Sequence, residues 1–234
     1  MDRSTLRVLS YNIHGQVHLF DRRYLERIAR VINDLKPDVV GLQEVHRGGW
    51  KARYEDQAEI LGSLTGMTVA FGPSIEGRHG AFGNAVLTAG ELDAHEVIPL
   101  PAPGEPRTLL RSRLRLKSFA LDFYVTHLAA WGRWGKGARS LQALTLVERL
   151  HRHDGPFILV GDLNAVPTAP ELRPLISAEI FRMCGDDLIC THRFMRQRID
   201  YIFADPGWTT TSSQVIERGP SDHWPVLVEL QRSS

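Results

Sequence analysis

Short apolar runs alternate along this chain with stretches of helical spacing. "LRVLSY" (6–11), "DVVGLQ" (38–43), "MTVAF" (67–71), "GNAVLT" (83–88), "TLLRSRLRLK" (108–117), "FALDFYVTH" (119–127), "FILVGD" (157–162), "IDYIFAD" (199–205) and "PVLVEL" (225–230) have the length and content of strands. In 108–117, Leu110, Leu114 and Leu116 alternate with Arg111, Arg113 and Arg115, so one face of that strand is solvated. "FDRRYLERIARVINDLKPD" (20–38) sets Phe20, Tyr24, Ile28, Val31 and Leu35 at helical spacing, with Asp21 as cap and Pro37 as stop. "EDQAEILGSLTG" (55–66) predicts a short helix ending near Gly66. "ARSLQALTLVERLHRH" (138–153) predicts an amphipathic helix through Leu141, Leu144, Val147 and Leu150.

Strand–helix–strand units are mixed with consecutive strands. That order fits neither a doubly wound sheet nor a barrel, and it predicts an α+β protein with sheets packed on each other and helices outside. No short repeat appears, and "PLPAPGEP" (99–106) reads as a loop, so residues 1–234 are expected to form one domain. The 43% hydrophobic and 24% charged content suits a chain with a real core. A net charge of +1 gives no global field for nucleic acid, so any such binding needs a local patch. Apolar runs long enough to span a bilayer are absent, the N-terminal segment lacks a signal-peptide core, and Cys184 and Cys190 imply no disulfide framework. A cytoplasmic location is the expectation.

Polar residues gather where the apolar runs stop: Asn12, Glu44, His127, Asp162 and Asn164, with Asp200 at a strand start and Asp222-His223 just before the last strand. Any one of them alone is more often turn chemistry or a hydrogen-bonded structural residue. Together they describe strand ends converging on one edge, where such folds place their sites. The oxygen donors Asn12, Glu44, Asp162, Asn164 and Asp222 suit magnesium or manganese rather than zinc. His127 and His223 could contact one phosphate, and Asp200 is the candidate partner that orients His223.

The segments "SYNIHG", "GLQEV", "YVTHL", "VGDLNAVP", "RIDYIF" and "SDHWPV" occur in the order found in the endonuclease/exonuclease/phosphatase superfamily, which the chain resembles over residues 10–227. The resemblance implies a four-layer α/β/β/α sandwich with two mixed β-sheets face to face. It also implies hydrolysis of a phosphoester with Mg²⁺ or Mn²⁺. It gives Glu44 and Asn12 to the metal, with Asn12 a ligand or a positioning group, and Asp222 to the metal directly or through water. It makes Asp162 the residue that aims or deprotonates water. Asn164 would hold Asp162 or the phosphoryl oxygens, and His127 and His223, with Asp200 behind it, would bind the phosphate. Asn84 matches a recurring "GNA-x-L" element. His14 stands where the abasic-site branch of the family commonly has an Asp, which weakens a DNA-repair assignment.

The remaining substrate-facing candidates are His14, Asn84, Arg107, Arg139 and the loop "AAWGRWGKGAR" (129–139). There Trp131 and Trp134 alternate with basic residues, a combination suited to stacking bases beside a phosphate backbone. Gly77, Gly80 and Gly83 do not sit between a strand and a helix, so they make no nucleotide loop. Cys184, Cys190 and His192 lack zinc-site spacing, and His192 reads as a loop residue. The leading expectation is a metal-dependent phosphodiesterase or nuclease acting on a phosphoester substrate, with nucleic acid among the candidates. The alternatives are a hydrolase of lipid-linked or small-molecule phosphoesters, and a non-catalytic binding module, which would have lost core residues that are all filled here.

Overall fold

Successive side chains on a strand point to opposite faces, so a strand apolar on both faces must be covered twice. The computed structural model describes residues 5–101, 103–132, 135–185 and 190–232. In chain order the elements are β1 (Thr5–Asn12), α1 (Tyr24–Leu35), β2 (Val39–Arg47), α2 (Gln57–Thr65), β3 (Thr68–Gly77), β4 (Gly80–Thr88), β5 (Glu91–Leu100), β6 (Arg107–Leu116), β7 (Phe119–His127), α3 (Gly135–His151), β8 (Phe157–Asp162), α4 (Arg173–Ile176), β9 (Arg182–Cys184), β10 (Asp200–Ala204), β11 (Trp208–Val215) and β12 (Val226–Arg232). They form two six-stranded sheets among the described residues, in the orders β11-β12-β1-β2-β4-β3 and β5-β6-β7-β8-β10-β9. β1 and β2 pair parallel, as do β7 and β8, and their other ladders are antiparallel.

One apolar layer lies between the sheets. Val8, Val39 and Val86 of the first sheet meet Leu110, Leu114, Phe123, Val125, Ile158 and Val160 of the second. A second layer seats Tyr24, Leu25, Ile28, Ile32 and Leu61 of α1 and α2 on Leu9, Tyr11, Val40 and Leu42. A third seats Ala143, Leu146 and Leu150 of α3 and Leu175 of α4 on Leu109, Leu159 and Phe203. The expected α/β/β/α sandwich of two mixed sheets is therefore the observed one.

Several local expectations hold with a physical cause. Asp56 caps α2 by accepting from Ala58 N and Glu59 N, and Gly66 closes it in the left-handed region. The outward arginines of β6 are neutralised: Arg111 and Arg113 both bond the buried Asp122, and Arg115 bonds Asp93. Others do not hold. Asp21 binds Arg23 N in the turn before α1 and is not its cap, and Phe20 is exposed. The polar strands β5, β9 and β11 carry too little apolar content to be read as strands. On α3, Leu141 and Leu144 are each 47% exposed. The buried face runs instead through Ala138, Arg139, Gln142, Ala143, Leu146 and Leu150. Gln142 accepts from Ala129 N, and Arg139 bonds Glu171, so two polar anchors set the helix's rotation.

Gly41 of β2 faces the layer between the sheets. A Cβ there would lie 2.2 Å from Val160 Cγ2 and 2.9 Å from Val125 Cγ2. Gly41→Ala is expected to lower stability by about 1–3 kcal/mol, the usual range for overpacking a filled core. Urea unfolding measures it, and an unchanged midpoint would contradict this close approach of the sheets.

Candidate active site

Strand register brings the first three residues together. On the parallel β7–β8 ladder His127 sits opposite Asp162, and on the antiparallel β8–β10 ladder Asp200 does. Asp162 is thus the centre of a three-strand row at one end of the second sheet. Asn164 follows the strand with a φ of 52°, a left-handed conformation that asparagine tolerates. Its N–H donates to Asp162 Oδ1 (2.8 Å), and its Nδ2 donates to His127 Nε2 (2.9 Å) and Leu128 O (3.1 Å).

The first sheet supplies the facing side. Asn12 ends β1, and its Nδ2 donates to Asp162 Oδ2 (3.0 Å) and Glu44 Oε1 (3.2 Å). Glu44 reaches that position through a bulge. Val40, Leu42 and Val45 all pack on the helix side, so the step from 42 to 45 carries one residue beyond the two-residue period. The inserted residue is Glu44, with a φ of 59°. Ser221 Oγ donates to Asn12 O (2.8 Å) and accepts from His223 N (3.2 Å), which ties the segment before β12 to the end of β1. His223 Nδ1 then lies 2.9 Å from Asp200 Oδ2, and its Nε2 lies 3.7 Å from Asp162 Oδ2.

Charge follows from burial and proximity. Burial, then the charge of Asp200, raises the pKa of Asp162, against the pull of His223 and the Asn164 and Asn12 donors. Burial alone would lower His223, but Asp200 and Asp162 outweigh it and raise its pKa to about 10. His127 is held neutral by burial and then by the cations Arg107 and His223. Burial would raise Asp222, yet its bond to His14 Nδ1 (3.1 Å) and the histidines around it bring it down to about 2. His14 is raised by the same bond.

Glu44, His127, Asp162, Asn164, Asp222 and His223 line a cleft of about 540 Å³, together with His46, Trp50, Lys51, Phe82, Glu105, Arg107, Trp131 and His192. Two sequence expectations need correction. Arg139 does not reach the cleft. It is 2% exposed, bonds Glu171 Oε1 (2.8 Å) and the carbonyls of Ala129 (2.9 Å) and Ala130 (3.3 Å), and lies under the Trp131 ring. Asn84 is buried away from the cleft and donates to Thr108 O across the sheets. Asn12 turns its amide nitrogen to the carboxylates, while its oxygen accepts from His14 N (3.0 Å). It therefore spaces the two carboxylates, which is the positioning role of the two that the resemblance implies for it. Trp131 lines the cleft and Trp134 lies outside the described residues. Arg107 pairs with Glu105 (2.7 Å) and keeps a buried Nε with no partner among the described residues. His14 touches the site through Asp222.

Residues that sequence reasoning missed are His46 and His192. His46 stands two positions after Glu44, and burial lowers its pKa to about 4. The sequence places His192 in a loop, and the backbone pairing of 192 with 223 brings it to the cleft.

A family model, the endonuclease/exonuclease/phosphatase family, matches residues 9–223. The chain belongs to the endonuclease/exonuclease/phosphatase family. Members of the family are phosphoester hydrolases, generally dependent on a divalent metal, and this chain is an enzyme of that class. No curated protein sequence matches it. Among solved structures it is similar to an endonuclease/exonuclease/phosphatase from Beutenbergia cavernae (24% identity, TM-score 0.80, covering 98% of this chain and 72% of that one). It is also similar to the human Nocturnin catalytic domain with bound sulfate (23%, 0.80, 99% and 96%). A third is the mannosyl-6-phosphatase Bt3783 of Bacteroides thetaiotaomicron (22%, 0.74, 96% and 99%). These likenesses concern the fold. No helix among the described residues is long and apolar enough to cross a membrane.

The residues present fit a divalent cation. Asn12 Nδ2 bonds both Asp162 Oδ2 (3.0 Å) and Glu44 Oε1 (3.2 Å), which brings two carboxylates to one point. Asp162 is a buried carboxylate whose negative charge the neighbouring donors do not fully offset. Glu44, Asp162 and Asp222 supply the oxygen set that hard cations select.

Asp200→Asn removes the negative charge that holds a proton on His223. The sign is therefore downward: His223 should titrate well below about 10, toward its ordinary range. An NMR titration of the imidazole measures this, and a His223 still protonated at pH 9 in the variant would contradict the assigned pairing.

Proposed function

We propose that the chain is a divalent-metal-dependent phosphodiesterase, of nuclease type, acting by direct in-line attack of water on phosphorus. The observation that carries this reading is the composition of the one cleft around Asp162: carboxylates and a protonated histidine at its floor, with Trp50 and Lys51 on one part of its wall and Trp131 and Arg107 on another. A lone phosphate does not need two aromatic walls. Aromatic plus basic side chains suit a phosphate carrying a group on each side, as in a nucleic-acid backbone.

Asp162 accepts the proton of the attacking water, with its orientation set by Asn164 N–H and Asn12 Nδ2. Asn164 is itself held by the neutral His127 and Leu128 O. In this reading His127, which lines the cleft, positions Asn164 beside the phosphate that the sequence expects it to contact. His223, kept charged by Asp200, faces the non-bridging oxygens and offsets the charge that grows there. Arg107, with a buried Nε left over, faces the same phosphate from the second sheet. Glu44 and Asp222 would hold Mg²⁺ or Mn²⁺, which polarises the phosphoryl oxygens when bound. No covalent enzyme intermediate is required.

A panel of bis-p-nitrophenyl phosphate, p-nitrophenyl phosphate, DNA, RNA and phospholipid, each with Mg²⁺, Mn²⁺ or EDTA, tests the reading. Metal-dependent cleavage of diesters in preference to the monoester is expected. Asp162→Asn should reduce the rate roughly 10²–10⁴-fold, the usual weight of a general base, with folding retained by circular dichroism. Monoester turnover alone would move the assignment to the small-molecule phosphatase reading. Absence of metal-dependent turnover on every substrate would overturn it.

A further inference from the structure

The proposal concerns His192, which the reading above does not use. Its placement is fixed by backbone. Arg193 N donates to Asp222 O (2.8 Å), Trp224 N donates to Thr191 O (2.8 Å), and residues 192 and 223 pair as an isolated bridge. A tight turn follows, with Thr191 N and His192 N donating to Gln197 O and Arg196 N donating to His192 O. The ring is 8% exposed and packs edge-on against His223, with centroids 4.6 Å apart.

Its tautomer is also set. Met195 N donates to His192 Nδ1 (3.2 Å), so Nδ1 is an acceptor and the ring hydrogen sits on Nε2. The same bond argues against a metal on Nε2, because a metal-bound histidine donates from its other nitrogen. Asp222 Oδ2 is 3.8 Å from Nε2, beyond hydrogen-bond range. The result is a fixed N–H donor on a ring that lines the catalytic cleft.

The donor's position relative to the nucleophile decides its use. His223 belongs to two close groups, Asp162–Asp200–His223 and His192–Asp222–His223, and among the described residues no such group holds both Asp162 and His192. With water aimed by Asp162 and the phosphate on His223, in-line geometry sends the leaving oxygen away from Asp162. We propose that His192 donates a hydrogen bond from Nε2 to the leaving oxygen of the phosphodiester, an inference that rests on the reading above. As the P–O bond breaks, its electron pair stays on that oxygen. The Nε2–H bond lowers the cost of that charge, and water supplies the proton that completes the product alcohol.

The effect depends on the leaving group. A p-nitrophenolate carries its charge well and needs little help, whereas a sugar or alkyl alkoxide needs much. The experiment is a series of methyl aryl phosphodiesters of graded leaving-group acidity, plus a dinucleotide, with wild type, His192→Phe and His192→Gln. Phe keeps the ring packing and lacks the donor, and Gln keeps a donor. His192→Phe is expected to cost roughly 10-fold or more in kcat on the dinucleotide, little on the p-nitrophenyl ester, and to steepen the dependence on leaving-group acidity. His192→Gln should recover part of the loss. An equal loss on every ester, or the same slope in wild type and His192→Phe, would overturn the proposal. The wild-type rates test the phosphodiesterase reading separately, since they do not involve the variant comparison.

Discussion

The hydrogen bond from Asn12 Nδ2 to Asp162 Oδ2, 3.0 Å long and fully buried, joins the ends of two sheets at the edge of the apolar layer between them. A buried carboxylate with no donor would be costly. Asp162 is tolerated because Asn12 reaches it from the first sheet, Asn164 from its own turn and His223 from the segment before β12. Removing one of these partners leaves the carboxylate with fewer donors, so catalytic geometry and folding share the same bonds.

Around that bond the division of labour follows the sheets. The second sheet presents a row in register, His127, Asp162 and Asp200. The first presents Asn12 and, through one inserted residue, Glu44. Asp200 acts on both sides of the balance, raising Asp162 and protonating His223, which lets a buried acid and a charged imidazole coexist a few ångströms apart. His14 adds a local feature: it pairs with Asp222, so the carboxylate that would serve a cation is already shared with an imidazole.

Much of this was legible in the sequence because strand ends are written there. An apolar run that stops in Asp, Asn or His marks both the strand and its last side chain, and Asp162, Asn164, Asp200 and His223 do meet. The failures have physical causes. Arg139 looked substrate-facing because its partner Glu171 lies 32 residues on, and nothing local marks a buried ion pair. Leu141 and Leu144 looked like the core stripe of α3, but Arg139 and Gln142 turn the helix by their own hydrogen bonds. Asn12 reads as an oxygen donor from its type alone, and only the His14 N–H shows which end of the amide faces the carboxylates. His192 sits in an irregular turn whose pairing with residues 222–224 is invisible to periodicity.

The central claim is that water attacks phosphorus directly, aimed by Asp162 across from the leaving group. Stereochemistry at phosphorus tests it most directly. Hydrolysis of a phosphodiester made chiral by sulfur and oxygen isotope, followed by ³¹P NMR of the product, should show inversion, because a single in-line displacement exchanges entering and leaving sides once. Retention would mean two displacements through a covalent enzyme intermediate, and would contradict the role given to Asp162.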